Sequence, residues 1–243
     1  MRALKFTLWG DYAFFRKPEY NNFVNEGHSF ITFNQIPKTY ILGILGGILG
    51  LPSITEEFNK NNFYQTLKDV NISIVPQKAH FLKETHKYLD SSGMFFLDKR
   101  ENLIINEELL IKPQWDIFVL EGFELHEKLK DDLFNKKSKT HIFLGKNEFF
   151  ANIENVSEID VTKAQIEDRF VEIKSMFVAK DLEKDDLLES DEYPYLYKEY
   201  LPISYNLDSK YNYDLFYFTN QPVNKEKVKS ELYYCNNDLI SFF

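Results

Sequence analysis

The stretch RALKFTLWG (2–10) alternates, with Leu4, Phe6 and Leu8 on one face and Ala3, Lys5 and Thr7 on the other. A period of two is the pattern of a half-buried strand. Residues 11–29 break the alternation with polar and aromatic positions, Pro18 and Gly27, and read as a long loop. After Pro37 comes an unbroken apolar and glycine run from Tyr40 to Leu51, which predicts a helix. Pro37 suits its first turn, where a missing N–H costs nothing. VNISIVP (70–76) and QWDIFVLEG (114–122) predict a second and a third strand. Between them an excursion, residues 83–112, carries a DSSG turn signal and predicts a long hairpin or mobile loop. Phe123, Leu125, Leu129, Leu133 and Phe134 recur at roughly helical spacing, with Lys136 and Lys137 in the last turn. A turn at 144–146 then leads into a fourth strand ending near 156.

The resulting order, β-α-β, excursion, β-α-β, predicts an α+β, ferredoxin-like (RRM-like) domain over 1–156. That order serves many functions, RNA binding among them. Residues 165–182 fit a helix or a long strand equally well. The Tyr-rich stretches 193–206 and 211–219 read as strands, and 231–243 as one or two short strands. Residues 157–243 are therefore expected to be a small, mostly β part packed on the first, since no repeat and no linker separates them.

Composition narrows the function classes. With 23 Phe and 15 Tyr in 243 residues, the chain has a large core and a surplus of rings able to stack on bases. Cys235 is the only cysteine, and His28, His80, His86, His126 and His141 have no metal-ligand spacing, so neither a metal nor another cofactor is expected. The N-terminus has no signal-peptide pattern, and the expected compartment is reducing and cytoplasmic. The net charge of −9 is unevenly placed: residues 1–150 hold 19 basic and 19 acidic side chains, and 151–243 hold 10 and 19. An RNA-binding surface on the first part, with the acidic part turned away, is compatible with that split. So is a solvated acidic face with no nucleic-acid role.

The most unusual motif is PKTYILGILGGILG (37–50). It lacks the lysine after the glycines that a nucleotide-binding loop requires. Its apolar run is about half the roughly 20 residues a membrane span needs, and no membrane association is expected. As a helix it places Gly43, Gly46, Gly47 and Gly50 on one face. Each interior glycine costs about 0.5–1 kcal/mol relative to alanine. A close backbone approach offsets such a cost, either by the sheet or by a nucleic-acid strand. Lys38 and Thr39 at the positive end of the helix predict an anion site.

These residues carry a resemblance. LWGDYAFFRKPE (8–19), the Pro-Lys-Thr-led glycine helix and LGKNEFFANI (144–153) together resemble the CRISPR-associated RAMP superfamily. Within it the chain looks most like the subunit that caps the 5′ handle of the guide RNA (crRNA) in type I Cascade complexes, type I-B branch. The resemblance covers about 2–156. It implies a thumb hairpin inserted at about 80–112 and a non-catalytic RNA-binding role in antiviral defence. It also implies contacts with the backbone subunit, the large subunit and target DNA near the protospacer-adjacent motif. By the same resemblance, RNA contacts are expected at Lys38, Thr39, Gly43, Gly46 and Gly47, at Trp9, Gly10, Asp11, Tyr12, Arg16 and Lys17, and at Gly145 and Lys146. Thumb contacts to RNA or DNA are expected from Lys78, His80, Lys83, His86, Lys87, Lys99 and Arg100. One branch of the family instead cuts precursor crRNA without a metal. Here that alternative would use Tyr40 with Lys38, and Lys139 with His141, as base, cation and acid. An acidic protein-interaction module is the third alternative.

Overall fold

In the computed structural model, which describes residues 1–18, 22–24, 27–54, 62–90, 103–189, 193–206 and 210–243, the predicted alternation becomes β1 (Arg2–Trp9). The elements that follow are β2 (Tyr12–Ala13), β3 (Asn22–Val24), β4 (Gly27–Phe30), α1 (Lys38–Leu49), α2 (Phe63–Leu67) and β5 (Ile72–Pro76). Next come β6 (Lys83–Asp90), β7 (Leu103–Ile111), β8 (Gln114–Leu120), α3 (His126–Phe134) and β9 (Asn152–Lys163). The remainder holds β10 (Phe170–Val171), β11 (Phe177–Val178), β12 (Leu196–Tyr205), β13 (Tyr211–Thr219), β14 (Val223–Asn224), β15 (Glu231–Cys235) and β16 (Asp238–Phe242).

The main sheet runs β16-β15-β9-β1-β8-β5, and its neighbouring strands pair antiparallel. Its four members in the order β9-β1-β8-β5 are the ferredoxin-like arrangement, with α1 and α3 in the two crossovers. Leu4, Phe6 and Leu8 of β1 pack with Ile41, Leu45 and Ile48 of α1 in the principal core. The opposite face of β1 is also buried, through Ala3, in a second cluster with Phe118, Val161, Tyr233, Ile240 and Phe242. That is a departure from the half-buried reading. The cause is the β15–β16 hairpin, which extends the sheet beyond β9 and curls back over it. Ile72 and Phe243 exchange two backbone bonds of 3.1 Å, so the far edge of the curl meets β5.

The expected boundary at 156 falls inside β9, whose last residues pair with β15. The second part therefore shares the main sheet. It also contributes the sheet β11-β13-β12, from which Val178, Tyr197, Leu201, Phe216 and Phe218 enter the principal core. The stretch 165–182 is neither a helix nor a long strand and holds only the short β10 and β11.

The excursion between β5 and β8 is a hairpin: β6 and β7 pair antiparallel from Lys83↔Leu110 to Asp90↔Leu103. Residues 11–29, read as a loop, partly join it. β2 pairs with β7 antiparallel and β4 pairs with it parallel, because the second edge of β7 offers unsatisfied backbone groups. Among the described residues, no helix is long and apolar enough to cross a membrane.

The segment after α3 is clamped to the segment after β1. Phe14 N–H donates to the Leu144 carbonyl at 2.9 Å, and Gly145, at φ 94°, leaves so little room that a Cβ there would lie 1.8 Å from the Phe14 carbonyl oxygen. Gly122 has a similar φ of 113° with nothing within 4 Å of the same hypothetical atom. Gly122→Ala should therefore cost only backbone strain, about 1 kcal/mol. Gly145→Ala should cost upwards of about 3 kcal/mol, since backbone must move. Paired urea melts measure both, and equal losses would mean that the clamp does not form in solution.

Candidate nucleic-acid interface

α1 starts at Pro37, the extended N-cap residue, and ends at Gly50, which takes the left-handed conformation at φ 73°. The last turn of any helix leaves carbonyls without intrahelical donors. Here each one is met. The Gly46 carbonyl accepts from Gly50 and Leu51. Those of Gly47 and Ile48 accept from the backbone N–H groups of Thr140 and Lys139, both at 3.2 Å. That of Leu49 accepts from Lys128 Nζ at 2.7 Å.

Three glycines of the predicted face do different work. At Gly46 a Cβ would lie 2.6 Å from Phe63 Cβ, so this glycine lets α2 in. At Gly47 it would lie 2.9 Å from Thr140 Oγ1, so this one admits the segment after α3. At Gly43 the nearest atom would be 3.9 Å away, on the Phe63 ring, an ordinary contact that a Cβ could make without strain. Gly43 and Gly47 open onto a groove of about 320 Å³ that Thr39, Tyr40, His141, Gly145 and Asn147 also line. The structure thus brings Thr39, Gly43, Gly47 and Gly145 together, four residues expected at RNA, from both ends of the first part.

Tyr205 and Tyr211, from β12 and β13, complete the wall. Their ring centroids are 4.8 Å apart and their hydroxyls 3.4 Å apart. Tyr64 braces them, its oxygen accepting from the Tyr205 N–H at 2.8 Å. Burial first, then the neighbouring Tyr211, pushes the Tyr40 hydroxyl well above the ordinary tyrosine value. The Tyr205 hydroxyl is raised for the same reasons. Sequence reasoning did not find Phe63, Tyr205 and Tyr211. The one available signal was the tyrosine density of 193–219, which does not say which rings face the helix.

The expected cations are placed less uniformly. Lys38, 7% exposed, is not offered to an anion as the helix-start reading expects. Its Nζ donates to the Phe243 backbone carbonyl at 3.0 Å. Burial lowers its pKa to about 8 against a weaker pull from Asp69. Lys17 pairs with Glu199 of β12, a carboxylate that also accepts from Tyr197 and Asn34. Lys146 bonds Glu107 at 2.7 Å and Glu148 at 2.9 Å. Burial opposes its charge, and the two carboxylates outweigh that and raise its pKa. Arg16 is exposed and lies over the Phe30 ring at 4.3 Å.

Trp9 is half-buried, and its indole N–H has no hydrogen-bond partner. Gly10 packs under Leu144, and Tyr12 lies between Phe149 and His86 of the hairpin. On the hairpin side Lys78, His80 and Lys87 are exposed, whereas Lys83 pairs with Glu108 at 2.8 Å. Lys99 and Arg100 lie outside the described residues.

No known protein-family model matches the chain, and no curated protein matches its sequence. Solved structures do match its fold. A CRISPR protein from Archaeoglobus fulgidus superposes with a TM-score of 0.51 at 14% identity, over 99% of this chain and 98% of that one. A chain of a CRISPR RNA-guided surveillance complex superposes with a TM-score of 0.50 at 9% identity, over 90% and 91%. The fold is thus shared over nearly the whole length of both.

Lys38 tests the burial of the helix start. Between its folded pKa of about 8 and its ordinary 10.5, the unfolded chain holds a proton that the folded chain has lost. Stability therefore rises with pH through that window, and the cost of burying the charge is fully present below it. Relative to Lys38→Met, the wild type should gain up to about 3 kcal/mol from pH 8 to pH 10.5. Urea denaturation at each pH measures this, and a flat difference would place the ammonium in solvent.

Proposed function

We propose that the chain is a non-catalytic RNA-binding subunit of a type I CRISPR Cascade surveillance complex, of the type I-B branch. In this reading it grips the 5′ handle of crRNA and helps assemble the complex for target-DNA recognition in antiviral defence. The observation that carries the reading is the groove on α1, where the uncrowded Gly43 and the packed Gly47 line the wall beside Thr39, Tyr40 and Gly145. Single-stranded RNA is held by close approach and by stacking on aromatic faces, and the groove provides both. The fold shared with a CRISPR protein and with a chain of an RNA-guided complex supports the same reading. Its partners would be the crRNA handle, the Cascade backbone and large subunits, and target DNA along the hairpin. Much of the acidic charge near the C-terminus is engaged locally, as in Asp186 with Lys227 at 2.9 Å and Asp214 with Lys229 at 3.3 Å.

One observation favours a second reading, a metal-independent ribonuclease: Tyr40 and His141 line the same groove. Against it, the raised pKa of Tyr40 makes the phenol a poor base. Lys38 is also turned away to Phe243 rather than toward a scissile phosphate.

Filter binding with repeat-derived RNA, across a salt series and with or without the backbone subunit, tests the proposal. Affinity should fall as salt rises, because phosphate contacts release counterions. Gly43→Glu should weaken binding about tenfold or more by placing a carboxylate at the groove, with little change in melting temperature. No binding at low salt under either condition would leave the acidic protein-interaction module. Incubation in EDTA should leave the RNA intact. Site-specific cleavage that disappears in Tyr40→Phe or His141→Ala would replace the non-catalytic reading with the ribonuclease.

A further inference from the structure

We infer that the groove on α1 seats the base of one unpaired nucleotide, and that the phosphates of the same strand pass outside it. This rests on the RNA-binding reading above and deepens it. The first ground is charge. Among the described residues that line the groove there is no lysine, arginine, aspartate or glutamate. A phosphate placed inside would be partly desolvated with no cation to meet it. Arg16 lies over the Phe30 ring, and Lys146, next to Gly145, is engaged by Glu107 and Glu148.

The second ground is shape. Phe63, Phe143, Tyr40, Tyr205 and Tyr211 supply rings, the faces on which unstacked bases are held. Gly43 leaves one side of the groove flat, with only the Phe63 ring in reach of a Cβ. A volume of about 320 Å³ falls in the range of small-ligand clefts, about 300–1,000 Å³.

The third ground is an orphaned hydroxyl. Thr39 is 2% exposed and lines the groove, and its Oγ1 has no hydrogen-bond partner. A buried hydroxyl without a partner is costly, and such groups are rare. The edge of a nucleobase carries both donors and acceptors that would satisfy it. The exposed Asn147 and His141 at the groove can bond the same base from the solvent side.

The test couples RNA chemistry to two substitutions. Repeat RNAs carrying a single abasic site at successive positions are titrated against the wild type, Thr39→Val and Gly43→Leu. One position should cost the wild type about tenfold or more when its base is removed. Both variants should bind intact RNA about tenfold more weakly, and for both the penalty at that position should vanish. Thr39→Val should melt no lower than the wild type, because it removes only an unpartnered hydroxyl. If Gly43→Leu fails to fold, Thr39→Val alone carries the coupling. RNA that binds in a salt-dependent way but shows no sensitive position would overturn the inference and leave the RNA-binding reading in place. Equal losses for intact and abasic RNA in the variants would do the same, by assigning the groove to the backbone. Absence of RNA binding by the wild type would take down both.

Discussion

The last turn of α1 must hand its free carbonyls to another part of the chain, and much of the architecture follows from how it does so. The Gly47 and Ile48 carbonyls are met by the backbone of Thr140 and Lys139, and that of Leu49 by Lys128. Backbone reaches backbone only where no side chain intervenes, and Gly47 is the residue that allows it. A buried carbonyl left without a donor carries a cost comparable to a lost hydrogen bond. The segment after α3 is therefore drawn onto α1. It is drawn onto the segment after β1 as well, where Gly145 meets Phe14. These two docking points bring Thr39, Gly43 and Gly47 of one crossover to the same groove as His141, Gly145 and Asn147 of the other.

The same docking separates charge from contact. Helix starts attract anions, yet Lys38 at this one is buried on the Phe243 carbonyl. Lys17 is drawn to Glu199 and Lys146 to Glu107. Lys17 and Lys146 thereby tie distant parts of the chain, β12 to the segment after β2 and β7 to the segment before β9. What remains at the groove is neutral and aromatic. A nucleic-acid strand placed there would find rings and bare backbone inside, and charge beside it.

The C-terminal part is structural as much as it is acidic. β15 and β16 extend the main sheet and cover its second face, and β12 and β13 supply the tyrosines that wall the groove. Part of its negative charge is paired locally, as in Asp186 with Lys227, while its rings enter the site. Glu199 shows both sides of this arrangement, because one carboxylate holds Lys17, Asn34 and Tyr197 together.

Local pattern was enough for several features. The alternation of Leu4, Phe6 and Leu8, the apolar run behind Pro37 and the spacing of Leu129 and Leu133 each act within one element. They identified β1, α1, α3 and the ferredoxin-like order. The glycine run in 37–50 announced a close approach for the same reason: a helix does not carry three interior glycines unless something comes near it. What came near was not legible. A tight contact with Phe63 at Gly46, a tight contact with Thr140 at Gly47 and only a loose one with the Phe63 ring at Gly43 are distinguished only by the packing of α2 and of the segment after α3. The charge of Lys38 is legible in any sequence, but whether it faces an anion or a carbonyl depends on the curl that brings Phe243 to Ile72. Residues 11–29 look like a loop because β2, β3 and β4 have no alternation of their own, and β7 provides the edge on which two of them pair. Sequence by itself determined the elements and the need for a bare helix face, since both are set by neighbours along the chain. Tertiary structure decided which glycine faces protein and which faces the groove, because that depends on partners distant in sequence, from Phe63 to Tyr211.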